Sequence, residues 1–377
     1  MYEVLTLNKI SPKGTALLDP AKYCFSDSVP SPDAVLVRSA SMLDTRFDAR
    51  LLSIARAGAG VNNVPVDRCT EQGIVVFNTP GANANAVKEL VIAALFMASR
   101  KIAAAIEWCK TLKGQGDNVG KLVEKGKSSF AGPEIAGKTL GVIGVGAIGF
   151  QVALAAKALG MRIVAFDKYI TPERAEALKD DAVVDSLDEL LEKSDYITIH
   201  VPSLPDTKGM INAQFLGKCK NGVRILNFAR GDLVNSADLA EALQSGKCAA
   251  YITDFPSDDL IGLEGVTALP HLGASTPESE ENCAVMAVKQ TVDYIENGNI
   301  VNSVNYPGVS MAKSGRKRVC VTASHDVSRD VKAALKDDLC AAYGMKKGFY
   351  MIADTNEEID TERLRAIDGV IRVRVIG

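Results

Sequence analysis

Residues 139–166, TLGVIGVGAIGFQVALAAKALGMRIVAF, decide the fold. Their apolar content invites a membrane-spanning reading, but Lys157 and Arg162 interrupt the run. Glycines at 141, 144, 146, 149 and 160 would also break a lipid-facing helix. A buried strand over 139–143, a helix over 146–159 closed by Gly160, and a second strand over 162–166 fit better. Between strand and helix lies Gly144-x-Gly146-x-x-Gly149. Gly144 permits a tight turn, Gly146 lets a pyrophosphate approach the backbone, and Gly149 lets helix and strand pack closely. The free N–H groups opening the helix, Ala147 and Ile148 among them, are placed to hold phosphates.

Eighteen residues past Gly149, Asp167 ends the second strand, where a carboxylate accepts from ribose hydroxyls and repels a 2′-phosphate. That favours NAD as cofactor. Further along, short β-branched runs alternate with amphipathic segments, the pattern of βαβ units around a parallel sheet. Strands are expected over 196–199, 223–227, 249–253 and 266–269, and helices over 187–193 and 236–245, with Asp185 and Ser236 as N-caps. Open parallel sheets bind ligands beyond the carboxyl ends of their strands. Read in order, those ends offer Gly144, Asp167, His200-Val201-Pro202, Ala229-Arg230-Gly231, Asp254 and Pro270-His271. Arg230 has the planar fork that clamps a carboxylate. His271, one of three histidines, has the chemistry to take a hydroxyl proton. Asp254, Asp258 and Asp259 are the candidates to orient it.

The first ninety residues repeat this logic, with strands expected over 34–37, 51–55 and 74–77 and a long helix over 84–100. Residues 114–137 read as an irregular connection, 277–297 as a helix and 298–308 as a linker. From residue 316 a strand–helix–strand–helix–strand module of about sixty residues is expected, small enough to need docking or dimer pairing. A chain of 377 residues accommodates roughly two or three domains. A net charge of −3 gives no general attraction to nucleic acid or an anionic membrane. Eight scattered cysteines form no CxxC pair, which argues against a zinc site or a disulfide framework; no metal is expected. Free thiols and an N-terminus without a signal-peptide pattern point to the cytoplasm.

The blocks ARAGAGVNNV (55–64), VFNTPGANANAVKELV (76–91), GVIGVGAIG (141–149), NFARGDLVN (227–235), YITDFP (251–256) and LPHLGAST (269–276) together resemble the D-isomer-specific 2-hydroxy-acid dehydrogenases. The likeness covers nearly all of residues 1–308. It implies two doubly wound Rossmann-like α/β domains with a cleft, plus a small C-terminal α+β module similar to a shortened ACT domain. The implied boundaries are 1–93 with 275–308 for substrate, 94–274 for NAD, and 316–377 for the tail. The implied activity is hydride transfer between NAD and a small 2-hydroxy acid, in a homodimer or higher homo-oligomer. Arg230 then corresponds to the family's catalytic arginine and His271 to its acid/base. The family's orienting glutamate falls at Asp258, and Asp254 corresponds approximately, one residue late against the F-P anchor, to the aspartate that accepts from the nicotinamide amide. The cofactor set is Gly144, Gly146, Ala147, Ile148, Gly149, Asp167, His200, Val201, Pro202, Ala229, Asp254 and Gly273. The substrate set is Arg38, Ser39, Ala59, Gly60, Val61 and Asn85 with Arg230 and His271, and Arg38 suits a phosphate. In the tail, Ala323-Ser324-His325-Asp326-Val327 replaces the ACT ligand-loop pattern, so a dimerisation or vestigial role is expected. Two other readings stay open: a reductase of acids without phosphate, and a dinucleotide-sensing interaction protein on the same fold.

Overall fold

Thr139–Ile143 is buried at every position, as a strand covered on both faces must be. In the computed structural model, which describes residues 1–179, 182–314, 317–335 and 339–377, it lies inside a seven-stranded parallel sheet. The order is Val266–Ala268, Cys248–Thr253, Val223–Asn227, Tyr196–Ile199, Thr139–Ile143, Arg162–Phe166, Ala182–Val183. This is the doubly wound order, and the chain reverses direction between Thr139–Ile143 and Tyr196–Ile199. Helices Ala84–Arg100 and Ala147–Ala158 cover one face, with Val91, Leu95, Val152 and Ala156 fully buried or nearly so. Leu187–Lys193, Ala213–Lys218 and Ser236–Gln244 cover the other. These elements make one compact unit, Ala84–Thr276. Among the described residues no helix is long and apolar enough to cross a membrane; Ala147–Ala158 has only 12 residues.

The helices start where expected, at Leu187 and Ser236, but their N-caps differ from expectation by one residue each. Ser186, not Asp185, caps Leu187–Lys193 by accepting from the Glu189 N–H at 3.2 Å. Asn235, not Ser236, caps the later helix by accepting from the Ala237 and Asp238 N–H groups. In both cases the residue one further on or back cannot reach the second and third helical amides. Residues 114–137 are not wholly irregular: Val119–Gly126 is helical, its apolar Val119, Leu122 and Val123 disguised by flanking glycines.

Met1–Asn83 and Pro277–Gly377 form the second compact unit. Its parallel sheet has the order Tyr23–Ser26, Tyr2–Leu7, Ala34–Val37, Ser53–Arg56, Val75–Phe77, the flavodoxin-like arrangement. Tyr2–Leu7 and Tyr23–Ser26 escaped the sequence reading because only one residue of each is buried, so they lack a buried apolar run. Residues 298–308 are no linker. Asn305, fully buried, accepts from the Val76 N–H at 2.9 Å and donates to the Ile74 carbonyl at 2.9 Å. A side chain thus satisfies the backbone of an edge strand that would otherwise be open.

The tail is a four-stranded antiparallel sheet in the order Leu339–Met345, Phe349–Thr355, Lys317–Ala323, Val370–Ile376, with helices Ser328–Leu335 and Thr361–Arg365. Expectation had Leu339–Met345 as the end of a helix and the module as a strand short. The alanines in LCAAYGM favour helix locally, but seven paired positions against Phe349–Thr355 decide for strand. Residue 316, the expected start, and residues 336–338 lie outside the described residues. The module shares a core with the five-stranded sheet through Cys320, Tyr350 and Ile352. Three of its arginines hold the joint. Arg318 forms a fully buried two-point pair with Asp354 (2.6 and 2.9 Å) and donates to the Asn297 carbonyl at 2.7 Å. Arg374 donates to the Ile295 carbonyl and lies over the Tyr294 ring. Arg372 donates to the Leu51 carbonyl at 2.6 Å. Two guanidinium groups therefore meet the carboxyl end of Pro277–Asn297, where free carbonyls and the helix dipole favour cations.

Because Asp354→Ala leaves Arg318 buried without its counter-charge, it should cost about 3–5 kcal/mol. Hydrogen exchange should quicken first in Lys317–Ala323 and the last turn of Pro277–Asn297. The paired change Arg318→Met with Asp354→Leu should restore most of that protection.

Candidate functional site

The carboxyl edge of the seven-stranded sheet carries the chemistry. Gly144 follows Thr139–Ile143 at φ +90°, and a methyl group there would sit 2.8 Å from the His200 carbonyl oxygen. At Gly149 a methyl would lie 2.0 Å from the Gly144 carbonyl oxygen. Both glycines are thus demanded by the protein itself. Gly146 is different: a methyl there meets nothing within 4 Å and φ is −69°. Its bareness has no internal reason, which is what a cradle for an external group requires. Ala147 and Ile148 open the helix directly behind it.

Asp167 accepts from the Val145 N–H at 2.6 Å through one oxygen and from the Tyr169 N–H at 2.8 Å through the other. It ties the glycine loop to the neighbouring strand, and each oxygen keeps a lone pair for a ligand hydroxyl. Lys168 beside it is paired with Asp206 at 3.1 Å. His200, Val201 and Pro202 leave Tyr196–Ile199 next to the loop, with the His200 Nε2 2.9 Å from the Thr198 hydroxyl. Burial pushes the His200 imidazole down to about 3, so it is neutral near pH 7.

At the next strand exit Asn227, fully buried, shapes the turn. Its side chain accepts from the Ala229 N–H at 3.1 Å and donates to the Arg230 carbonyl at 2.8 Å. Arg230 follows with an extended backbone and an exposed side chain that touches the Ala229 carbonyl at 2.6 Å. One strand further, Asp254 is 1% exposed. Its Oδ2 accepts from the Gly273 N–H at 2.9 Å, whereas Oδ1 is buried with no partner among the described residues. Burial pushes this carboxyl up, countered by the Gly273 amide and the charge of His271. His271 leaves the edge strand with its ring 4.6 Å from the Phe255 ring. Asp254, Phe255, Ser257 and His271 line a cavity of about 410 Å³ with Gly231. Asp258 and Asp259 are exposed and make no hydrogen bond or ion pair among the described residues.

These features fit a dinucleotide. An open cradle stands at Gly146, an acceptor pair at Asp167, and an orphaned buried acceptor at Asp254 for an amide donor. Among the described residues there is no group of three or more His, Cys, Asp or Glu placed to hold a metal.

Of the expected substrate residues, Asn85 belongs to this unit, near the start of Ala84–Arg100, and donates to Glu89 at 2.8 Å. Arg230 and His271 belong to it too, whereas Arg38, Ser39, Ala59, Gly60 and Val61 lie in the five-stranded unit. Asn8, at φ +67° where the strand order reverses, accepts from the Ser39 and Ala40 N–H groups at 2.9 and 2.6 Å. It shapes the loop that carries Arg38, whose Nη2 pairs with Glu280 at 2.7 Å. Arg56 donates to the Arg38 carbonyl at 3.0 Å. Ala59, Gly60 and Val61 follow the next strand, and Asn78 donates to the Ala59 carbonyl at 2.7 Å. Sequence reasoning missed Asn8, Asn227 and Asn305, three asparagines that shape loops. Asn8, directly after a strand, and Asn227, at the end of one, carry a signal in their position, and Asn305 carries none.

Residues 92–273 match the family described as D-isomer specific 2-hydroxyacid dehydrogenase, NAD binding domain. The chain is 37% identical over 291 residues to D-3-phosphoglycerate dehydrogenase of Archaeoglobus fulgidus, covering 74% of this chain and 53% of that one. To the enzyme of the same name from Mycobacterium leprae it is 34% identical over 352 residues, covering 91% and 63%. It therefore spans between about half and two thirds of these relatives' length. Among solved structures, 3-phosphoglycerate dehydrogenase of Entamoeba histolytica with NAD+ bound superposes with a TM-score of 0.61 at 26% identity, covering 81% of this chain and 98% of that one.

The neutral His200 makes the fold acid-sensitive in a definite window. Its folded pKa lies below the unfolded value of 6.5, so its contribution is complete above 6.5 and is lost as pH falls toward about 3. At pH 5 the loss should reach about 2 kcal/mol. Urea midpoints measured from pH 7 to 5 should fall less steeply in His200→Gln than in the parent.

Proposed function

We propose that this chain is a member of the D-isomer-specific 2-hydroxyacid dehydrogenase family, whose NAD-binding domain residues 92–273 match, and that it oxidises D-3-phosphoglycerate to 3-phosphohydroxypyruvate. That reaction is the first step of the phosphorylated route to serine. One observation carries the reading: Arg230, Asp254 and His271 follow three neighbouring strands of one sheet, on the same edge as the glycine loop. NAD, when bound, supplies the hydride acceptor. Arg230 pairs its planar fork with the substrate carboxylate and draws electron density from the 2-oxygen. His271 takes the hydroxyl proton as the C2 carbonyl forms, and returns it in the reverse direction. Gly144–Gly149 and Asp167 hold the pyrophosphate and ribose. The tail is read as an ACT-like module and the assembly as a homo-oligomer.

A second reading follows from Arg38. Its guanidinium is already paired with Glu280, so the phosphate has to displace a carboxylate to use it. A 2-hydroxy acid without phosphate makes no such demand. Turnover of both acids by Arg38→Ala separates the two: an unchanged rate with phosphoglycerate removes Arg38 from the phosphate site.

NADH formation with a panel of 2-hydroxy acids tests the activity. Arg230→Lys should lose at least about a hundredfold in kcat/KM, because a point charge does not reproduce a bidentate pair. His271→Gln should lose about 10²–10⁴. Retained NAD binding with no turnover of any acid would point to a sensing protein instead.

The glycines give a second check. Gly146→Ala should change stability by about 1 kcal/mol or less, since nothing surrounds the added methyl. It should nevertheless weaken NAD binding at least about tenfold. Gly149→Ala should lose stability even without NAD.

A further inference from the structure

We infer that the carboxylate governing the His271 imidazole is Asp254, and that the residue in the family's glutamate position, Asp258, does not take this role. The inference rests on reading His271 as the proton acceptor. Asp254 is buried at the exit of Cys248–Thr253 and holds the Gly273 N–H, two residues beyond His271. The carboxylate and the histidine loop are therefore one rigid piece. Its second oxygen is unpartnered, and the Ser257 hydroxyl, also buried and unpartnered, opens on the same cavity as His271. The Phe255 ring, adjacent in sequence to Asp254, packs against the imidazole. Two constraints, the Asp254–Gly273 bond on the loop and the Phe255 ring on the imidazole, thus bear on His271.

The titratable groups around that cavity are few. Asp254 and Tyr251 come from the same strand and its exit, and burial holds the Tyr251 hydroxyl up, so it carries no charge near neutrality. Asp258 and Asp259 lie on the following turn, exposed, where water screens them. Arg230, at the preceding strand exit, turns a guanidinium nitrogen to the Ala229 carbonyl. Asp254 is the only carboxylate lining the cavity among the described residues, and in that sheltered setting its charge acts on the imidazole more strongly than an exposed one. The charge of His271 in turn opposes the effect of burial on Asp254. Asp254 is thereby a positioning residue, acting through the histidine.

The decisive experiment compares Asp254→Asn, Asp254→Glu, Asp258→Asn and Asp259→Asn in the full chain. Two quantities are read: the pH profile of kcat/KM, and, without NAD or substrate, the rate at which diethyl pyrocarbonate modifies His271 just below neutral pH. Peptide mapping separates His271 from His200 and His325. In Asp254→Asn the acid limb should move to lower pH and modification should quicken several-fold, because a neutral imidazole is the reactive form. Asp254→Glu should restore both in part. NAD affinity, followed by fluorescence, tells loss of cofactor contact from loss of imidazole control. A shifted acid limb or faster modification in Asp258→Asn or Asp259→Asn overturns the proposal, as does an unchanged Asp254→Asn. If Asp254→Asn does not fold, the two exposed variants still decide, since the proposal forbids an effect in either. Full turnover by His271→Gln would instead remove the catalytic reading of His271, while the modification rates would still report the coupling.

Discussion

Parallel pairing is the constraint on which the rest depends. Two parallel strands cannot be joined by a tight turn, so the chain must cross over through a helix and return to the same starting edge. Every strand of both large sheets therefore ends on one side, and every ending is a loop free to carry function. Gly144, Asp167, His200, Arg230, Asp254 and His271 are far apart in sequence and share an edge for that reason alone. The strand cores beneath them are almost wholly apolar, which leaves the exits as the natural place for polar chemistry.

That constraint also explains what could be read from the amino acids. The strands around the glycine loop are largely buried and mostly apolar, and the helices Ala84–Arg100 and Pro277–Asn297 were legible to the residue. Legibility failed where structure depends on partners distant in the chain. Tyr2–Leu7 is half exposed and becomes a strand by pairing with Tyr23–Ser26 and Ala34–Val37. Leu339–Met345 has the composition of a helix and is a strand because its neighbour is one. The candidate site divides in the same way. Arg230 and His271 stand out as residue types at strand ends, but the choice among Asp254, Asp258 and Asp259 is a matter of burial, which spacing does not report.

The two units solve the same backbone problem with different means. In the seven-stranded unit the glycine loop relies on absence of side chains, and Asp167 and Asn227 fix the loops around it. In the five-stranded unit, asparagines at 8 and 305 satisfy loop and edge amides, and arginines from the tail cap the long helix. The buried Arg318–Asp354 pair is costly to desolvate and is fully satisfied by surrounding carbonyls. Its geometry fixes one docking position for the tail rather than a family of them.

The arginine joint has a consequence for how the molecule comes into being. Ala84–Thr276 is inserted within the other unit, and all its strands have emerged about a hundred residues before Arg372 and Arg374 are synthesised. The inserted unit can therefore complete its sheet first. The opening sheet, begun at Tyr2, must wait for Pro277–Asn297 to cover it and for the last strand to cap that helix. The sheet that holds Tyr2–Leu7 is thus completed by segments that follow the inserted unit in the chain, Pro277–Asn297 and Val370–Ile376.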